Sequence, residues 1–148
     1  NHGRSFEAGE VITVHTGDVG TSAVVDEKLN GAHGFATINT RVNPNLISPE
    51  FLCEMLNSPV LGTQIKKIVT GDGRDNLNLN DFFGLLVPIP SFLSEQKIIH
   101  DSINSTRIKI NRLVERLDAI TSVKKALMQD LLTGKVRVNL TDKESAAV

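Results

Sequence analysis

One uninterrupted segment, residues 95–135, limits what this chain can fold into. It contains no proline and its first glycine is Gly134, so it predicts a single long helix. At 1.5 Å per residue, about 40 helical residues extend roughly 60 Å. A domain of some 90 residues has a radius of gyration of only about 12 Å. The segment is therefore too long for one small domain to cover, and it predicts a partner helix.

Apolar residues recur along this segment at alternating spacings of four and three. This pattern is a heptad seam, which is typical of a coiled coil. The alternative is a single helix packed lengthwise on its own domain. Eight of the ten seam positions are Ile or Leu. The ten are Ile99, Ile103, Thr106, Ile110, Leu113, Leu117, Ile120, Lys124, Leu127 and Leu131.

The two polar seam residues, Thr106 and Lys124, indicate a register. If two copies pair antiparallel with facing residue numbers that sum to about 230, these two residues face each other. The two-fold axis then passes near Glu115. Polar layers of this kind can fix the register of a coiled coil. A parallel pair is the alternative, because the coincidence can also arise by chance.

The first 90 residues predict a small mixed domain of strands and helices. β-Branched residues around a glycine turn at 17–20 predict two strands within residues 9–27, and residues 34–44 predict a third. Ser48 and Pro49 are typical of a helix start, and a second helix follows over 60–69. Residues 70–80 predict a loop, and residues 83–90 a short strand.

The sequence therefore predicts an α+β chain in three parts. Residues 1–90 form the mixed domain and residues 91–134 the long coiled-coil helix, capped by Ser91 or Ser94 and ended at Gly134. Residues 135–148 form a short strand or a tail. Because the chain begins with Asn, we expect the N-terminal domain to be truncated.

Charge and cysteine content give weaker constraints. The net charge is −1, but residues 1–90 hold six Lys/Arg against ten Asp/Glu, whereas residues 91–148 hold ten against seven. The single cysteine, Cys53, cannot form a disulfide within the chain, and it is interpreted as a packing residue of a cytoplasmic protein. No apolar run is long enough to span a bilayer, so no membrane association is predicted.

No pattern of residues predicts an enzyme. The four histidines are scattered without metal-ligand spacing. The glycine-rich stretches at 17–22 and 70–73 lack the following Lys-Ser/Thr of a phosphate-binding loop. A nuclease or methyltransferase activity of the chain itself is therefore not predicted, nor is a metal or a cofactor.

A few side chains have the chemistry to contact nucleic acid. Arginine can read guanine and asparagine can read adenine, and both residue types occur in the loop at 70–80. The lysines at the end of the second helix have an alternative role, because they also favour the helix dipole. The candidate DNA contacts are Arg41, Lys66, Lys67, Arg74, Asn76 and Asn78.

Two motifs at the ends of the long helix resemble a known family. "VPIPSFLSEQKII" (87–99) and "KKALMQDLLTGKVRV" (124–138) are similar to the helix entrance and exit of specificity subunits of type I restriction–modification systems. The stretches "VITVHTGDVGTSAVV" (11–25), "ISPEFLCEMLNS" (47–58) and "TGDGRDNLNLNDF" (70–82) resemble the family's target recognition domain. The likeness spans roughly residues 9–138, and the exit motif is its most specific part.

The resemblance implies a non-catalytic DNA-reading subunit. Such subunits have two target recognition domains and two antiparallel long helices, whereas this chain has one of each, which implies a half-subunit or a C-terminal fragment. The implied partners are double-stranded DNA with a bipartite target, modification subunits that carry S-adenosylmethionine and the methyltransferase chemistry, and a restriction subunit. A homodimer through the long helix would restore the two-domain arrangement. The alternative function is a coiled-coil assembly or regulatory homodimer that does not read DNA itself.

Overall fold

The computed structural model describes residues 5–69 and 75–138. They form strands β1 (Val11–Val14), β2 (Ser22–Val24) and β3 (Thr37–Thr40), a 3₁₀ turn (Glu27–Leu29), and helices α1 (Pro49–Leu56), α2 (Pro59–Ile68), α3 (Leu79–Phe83) and α4 (Leu93–Leu132). The chain divides into two compact units, Asn1–Ile103 and Asn104–Val148. The α+β class predicted from the sequence is confirmed.

The three strands form one antiparallel sheet in the order β2-β1-β3. Val11 lies opposite Val24 on one side and Thr40 on the other. The predicted glycine turn joins β1 to β2, and Gly17 and Gly20 both have positive φ angles there. A side chain on Gly20 would also approach Ile65 of α2 to within 2.9 Å. The turn therefore needs glycine at this position for both its backbone and its packing.

Serine caps set the start of α1 and of α2. The Ser48 hydroxyl accepts a hydrogen bond from the N–H of Phe51 at 3.1 Å, as the sequence predicts. Ser58 does the same for Leu61 at 3.4 Å, and Pro59 occupies the first helical position of α2. The two helices are thus separated by a capped break rather than by a long loop.

The core of the first unit lies between the sheet and helices α1 to α3. Cys53 packs against it and its thiol donates a weak hydrogen bond to the Ser22 carbonyl, in line with a packing role. The buried apolar residues of this core are Val11, Ile38, Ile47, Phe51, Leu52, Leu56, Leu61, Ile65, Leu77 and Phe82.

Side-chain amides from the helices bond backbone groups that have no partner in the sheet. Asn57, which ends α1, accepts from the N–H of Ser22 at 3.0 Å and donates to its carbonyl at 2.9 Å. Gln64 of α2 pairs with the N–H and carbonyl of Leu86 in the same way, at 3.0 and 2.9 Å. Ser22 of the edge strand β2 is therefore bonded to the end of α1.

The strand predicted over residues 83–90 is wrong. Phe83 ends the short helix α3, and residues 85–90 have no partner strand. The backbone of Leu86 bonds instead to the Gln64 amide. The loop prediction for 70–80 is also corrected at its end, since Leu79 and Asn80 begin α3. Residues 70–74 lie outside the described part.

Helix α4 runs without interruption from Leu93 to Leu132. The predicted caps, Ser91 and Ser94, are wrong, because Ser94 lies inside the first turn and Phe92 precedes the helix. The Phe92 carbonyl accepts from the N–H groups of Glu95 and Gln96. The predicted end is correct: Gly134 has a φ of 70° and its N–H bonds to the Leu131 carbonyl. Over residues 5–69 and 75–138, no helix combines the length and apolar character that a bilayer crossing requires.

Candidate nucleic-acid interface

An open cleft of about 520 Å³, lined by both polar and apolar side chains, lies on the first unit. It is bounded by the end of β1, by β3 with the residues before it, and by the segment that leads into α3. The cleft is lined by His15, Gly34, Thr37, Ile38, Asn39, Asn76, Leu77, Asn78 and Leu79.

Backbone hydrogen bonds fix the position of the segment around Asn76. Thr16 and Asn76 form an isolated antiparallel bridge. On either side of it, the N–H of Gly17 donates to the Asp75 carbonyl at 3.1 Å and the N–H of Leu77 donates to the His15 carbonyl at 2.8 Å. This segment therefore continues the sheet locally, and its side chains are held against the end of β1.

The side chain of Asn76 takes part in a compact hydrogen-bond cluster. Its Oδ1 accepts from the Thr16 hydroxyl at 3.0 Å and lies 3.4 Å from Nδ1 of His15. The same Nδ1 lies 2.8 Å from the Thr16 hydroxyl oxygen. Asn76 is half-buried, so it orients the cleft wall as well as contributing to it.

Asn78 is the more accessible of the two predicted asparagines. It stands at the N-cap position of α3, but its side chain makes no capping hydrogen bond. Its amide nitrogen donates to Asp81 across the helix start, at 3.3 Å. An exposed amide at the cleft mouth offers both a donor and an acceptor, which is the pattern that the adenine edge presents in the major groove.

Arg41 lies in an acidic cluster rather than in the cleft lining. It forms ion pairs with Glu7 and with the buried carboxylate of Glu10, the latter at 3.2 Å. The hydrogen bond and the charge of Glu7, with a smaller contribution from Glu10, raise the pKa of Arg41 above its usual value. This arrangement gives Arg41 a structural role that its residue type alone does not indicate.

The other predicted contacts are divided among different parts of the first unit. Lys66 and Lys67 are exposed in the last turn of α2. Lys66 lines a separate hollow of about 190 Å³ beside the turn at Gly20 and Thr21. Arg74 lies outside the described residues. Of the six predicted residues, the structure thus brings Asn76 and Asn78 together.

Sequence reasoning missed the half of the cleft that comes from the sheet. His15 follows β1 directly, and Thr37 and Asn39 lie on β3, where the Thr37 hydroxyl donates to Asn39 Oδ1 at 3.3 Å. Polar residues at alternate positions of β3 were the available signal. No feature of the sequence indicated that Thr37 and Asn39 lie beside Asn76, some forty positions further along the chain.

The Ile and Leu side chains of the predicted heptad seam lie along α4. On the single chain the exposed fraction of these Ile and Leu side chains runs from 39% at Ile103 to 64% at Leu113. Ile99 differs, because it packs against the core of the first unit. In the described part of the chain, no group of three or more His, Cys, Asp or Glu residues could hold a metal ion.

The sequence of this chain is similar to that of a known specificity subunit. No protein-family profile matches the chain. It is 28% identical over 95 residues to the type I restriction enzyme StySPI specificity subunit of Salmonella potsdam, which covers 64% of this chain and 20% of that protein. The predicted resemblance to type I specificity subunits is confirmed. The chain spans about one fifth of the length of this relative.

The fold of this chain is similar to part of two solved specificity subunits. The HsdS subunit from Thermoanaerobacter tengcongensis superposes with a TM-score of 0.65 at 23% identity, over 93% of this chain and 37% of that one. The S subunit of a type I restriction–modification system from M. genitalium also gives 0.65, at 16% identity, over 86% of this chain and 33% of that one. At these identities the likeness shows the fold, and each structure is more than twice as long as the part matched.

Proposed function

We propose that this chain supplies half of the DNA specificity of a type I restriction–modification enzyme. Residues 1–90 act as a target recognition domain, residues 91–134 as a spacer helix, and residues 135–148 as a C-terminal tail. The similarity to the StySPI specificity subunit carries this proposal. The fold shared with the two solved subunits supports it.

The cleft is the part that would read DNA sequence. His15, Asn39, Asn76 and Asn78 bring imidazole and amide groups onto one open surface. These groups can bond base edges, and they carry no acidic charge that would repel phosphate. Arg74 belongs to the same loop and remains a candidate base contact, while Lys66 and Lys67 are candidates for phosphate.

The chain would perform no chemistry itself. Methylation would come from modification subunits that bind S-adenosylmethionine, and DNA cleavage from a restriction subunit. The acidic balance of residues 1–90 fits this division of labour, because phosphate contacts usually dominate DNA affinity and this domain offers few. The partner subunits would therefore supply much of the positive charge, and docking would use the long helix.

Two copies of the chain would pair through the exposed seam of α4. Exposed apolar side chains along a helix are typical of an interaction surface, and burial of each Ile or Leu contributes roughly 1.5–3 kcal/mol. Because Ile99 packs on its own domain, we propose a seam that begins at Ile103. In the antiparallel register Ile103 faces Leu127, and Thr106 faces Lys124. Two identical reading domains related by this symmetry would recognise a gapped palindrome.

The test is to map methylated sites across a genome with the chain present and absent, alongside the modification subunit. We expect one gapped, symmetric sequence to be methylated only when the chain is present. The triple variant Arg74→Ala, Asn76→Ala, Asn78→Ala should assemble equally well and should lose or relax that sequence. Unchanged methylation by the triple variant would exclude this loop as the reader.

The second candidate is an assembly or regulatory homodimer that has lost DNA reading. The pairing of Arg41 with Glu7 and Glu10 favours it, since this cation is engaged within the domain instead of being left for phosphate. The two functions differ in outcome. The regulatory function would be supported if the chain binds the modification subunit and competes with other specificity subunits, but directs no methylation to any sequence.

A further inference from the structure

Phe35 has the most exposed large apolar side chain in the described part of the chain. Its exposed fraction is 96%, against 73% for Phe83 and 70% for Phe92. A whole aromatic ring in water contributes nothing to the core, and its burial on a partner would be favourable. Its neighbours in sequence, His33, Gly34, Ala36 and Thr37, are small or polar.

The backbone on both sides of Phe35 is held in place. Gly34 packs so closely on the buried ring of Phe6 that a Cβ atom there would lie 2.2 Å from Phe6 Cζ. Ala36 adopts a φ of 57°, which is unfavourable for a residue with a side chain, and its carbonyl accepts from the N–H of His15 at 2.9 Å. The ring is therefore presented from a fixed segment.

Phe35 also lies next to the cleft in the chain. Gly34 and Thr37, on either side of it in the chain, line the cleft together with Asn76 and Asn78. A partner that fits both features must offer hydrogen-bonding edges beside a flat apolar face of about the size of one ring. DNA offers both, as base edges in a groove and as the faces of the base pairs at an adjacent step.

We propose that Phe35 inserts between two adjacent base pairs next to the bases that the cleft reads. This proposal rests on the proposed function. Apolar side chains that enter a base step partly unstack it and kink the duplex. Pyrimidine–purine steps unstack most readily, so the ring would add a preference for such a step without any hydrogen bond to it. Phe35 would thus determine specificity by deforming the DNA.

The experiment uses the assembled complex of this chain with its modification subunits and a duplex that carries the mapped target. Phe35→Ala is compared with wild type for DNA affinity and for the DNA bend, measured by energy transfer between dyes at the duplex ends. We expect about tenfold to hundredfold weaker binding, since stacking on one base has that order of effect. The bend should also decrease, while the hydrogen-bonded positions of the target stay the same.

Phe83→Ala is the matched control, because Phe83 is also exposed but the residues on either side of it do not line the cleft. It should leave both affinity and bend unchanged, and Phe35→Trp should retain both. Wild-type affinity and bend in Phe35→Ala would overturn the insertion. Loss of assembly of Phe35→Ala with the modification subunits would also overturn it, because that result would place the ring in a protein interface. A wild-type complex that methylates no defined sequence would instead overturn the proposed function, and the insertion with it.

Discussion

The side chain of Gln96 accepts a hydrogen bond from the backbone N–H of Ser48, with 2.9 Å between Oε1 and N. Its amide nitrogen donates to the carbonyls of Leu46 at 2.9 Å and Pro90 at 3.2 Å. Gln96 is fully buried. One side chain in the first turn of α4 therefore joins the start of α1, the segment before it, and the segment that leads into α4.

Replacement of Gln96 by methionine should destabilise the first unit. The volume is nearly kept, but the backbone groups of Leu46, Ser48 and Pro90 each lose a hydrogen-bond partner in a partly buried site. We expect the free energy of unfolding to fall by about 1–3 kcal/mol, measured by urea denaturation. Gln129→Met is the control, because Gln129 is exposed on the same helix. Equal unfolding midpoints for the two variants would contradict the prediction.

Two glycine-to-alanine changes should act in opposite directions. Gly62 lies inside α2, and an added Cβ would meet nothing within 4 Å. Gly62→Ala should therefore stabilise the protein by about 1 kcal/mol, through the higher helix propensity of alanine. Gly34→Ala should lower the melting temperature, because its Cβ would overlap the Phe6 ring. A melting temperature for Gly34→Ala at or above that of wild type would show that Phe6 moves aside without cost.

Asn78→Ala should relax the DNA target at one position. The exposed amide is not needed as a helix cap, so its loss should leave the fold intact. If the amide reads a base, discrimination at that base pair should fall by about 1–3 kcal/mol, seen as methylation rates on duplexes that vary one pair at a time. Asn80→Ala, on the same short helix but not in the cleft lining, should keep the full target. Identical target profiles for the two variants would remove Asn78 from the reading set.

Lys124→Leu should tighten the proposed dimer and loosen its register. The change removes the charged lysine that faces Thr106 in the proposed register, and polar layers fix alignment at a cost in stability. Light scattering across a dilution series measures the dissociation constant, and cross-linking at engineered cysteines measures the alignment. Lys125→Leu adds the same side chain one position away from the seam, so it should change neither the dissociation constant nor the alignment. A wild-type chain that stays monomeric at micromolar concentration would refute the pairing altogether.

Arg41→Ala should affect stability more than DNA binding. The guanidinium pairs with both Glu7 and Glu10, and Glu10 is buried, so removal of the cation takes away one favourable charge interaction from each carboxylate. We expect a lower melting temperature, with part of the loss recovered in the double variant Arg41→Ala, Glu7→Gln. A normal melting temperature together with weakened DNA affinity would return Arg41 to the DNA-binding surface.

The sequence by itself determined the elements whose signals are local. The continuous helix α4 follows from a long run without proline or internal glycine, and its end at Gly134 follows from the need for a positive φ. The caps of α1 and the turn of the first hairpin were likewise predictable, because each depends on a few neighbouring residues. The heptad spacing predicts which face of α4 contacts a partner helix, and this stays a prediction.

Tertiary structure decided which distant residues meet. Residues 83–90 have the composition of a strand, yet the Gln64 amide takes the backbone bonds of Leu86, and residues 85–90 belong to no strand. Likewise, Arg41 has the charge of a DNA contact, but folding brings Glu7 and Glu10 to it. The cleft joins the end of β1 to a segment some sixty residues later through the Thr16–Asn76 bridge. Such pairings depend on long-range geometry, which no local pattern of residue types encodes.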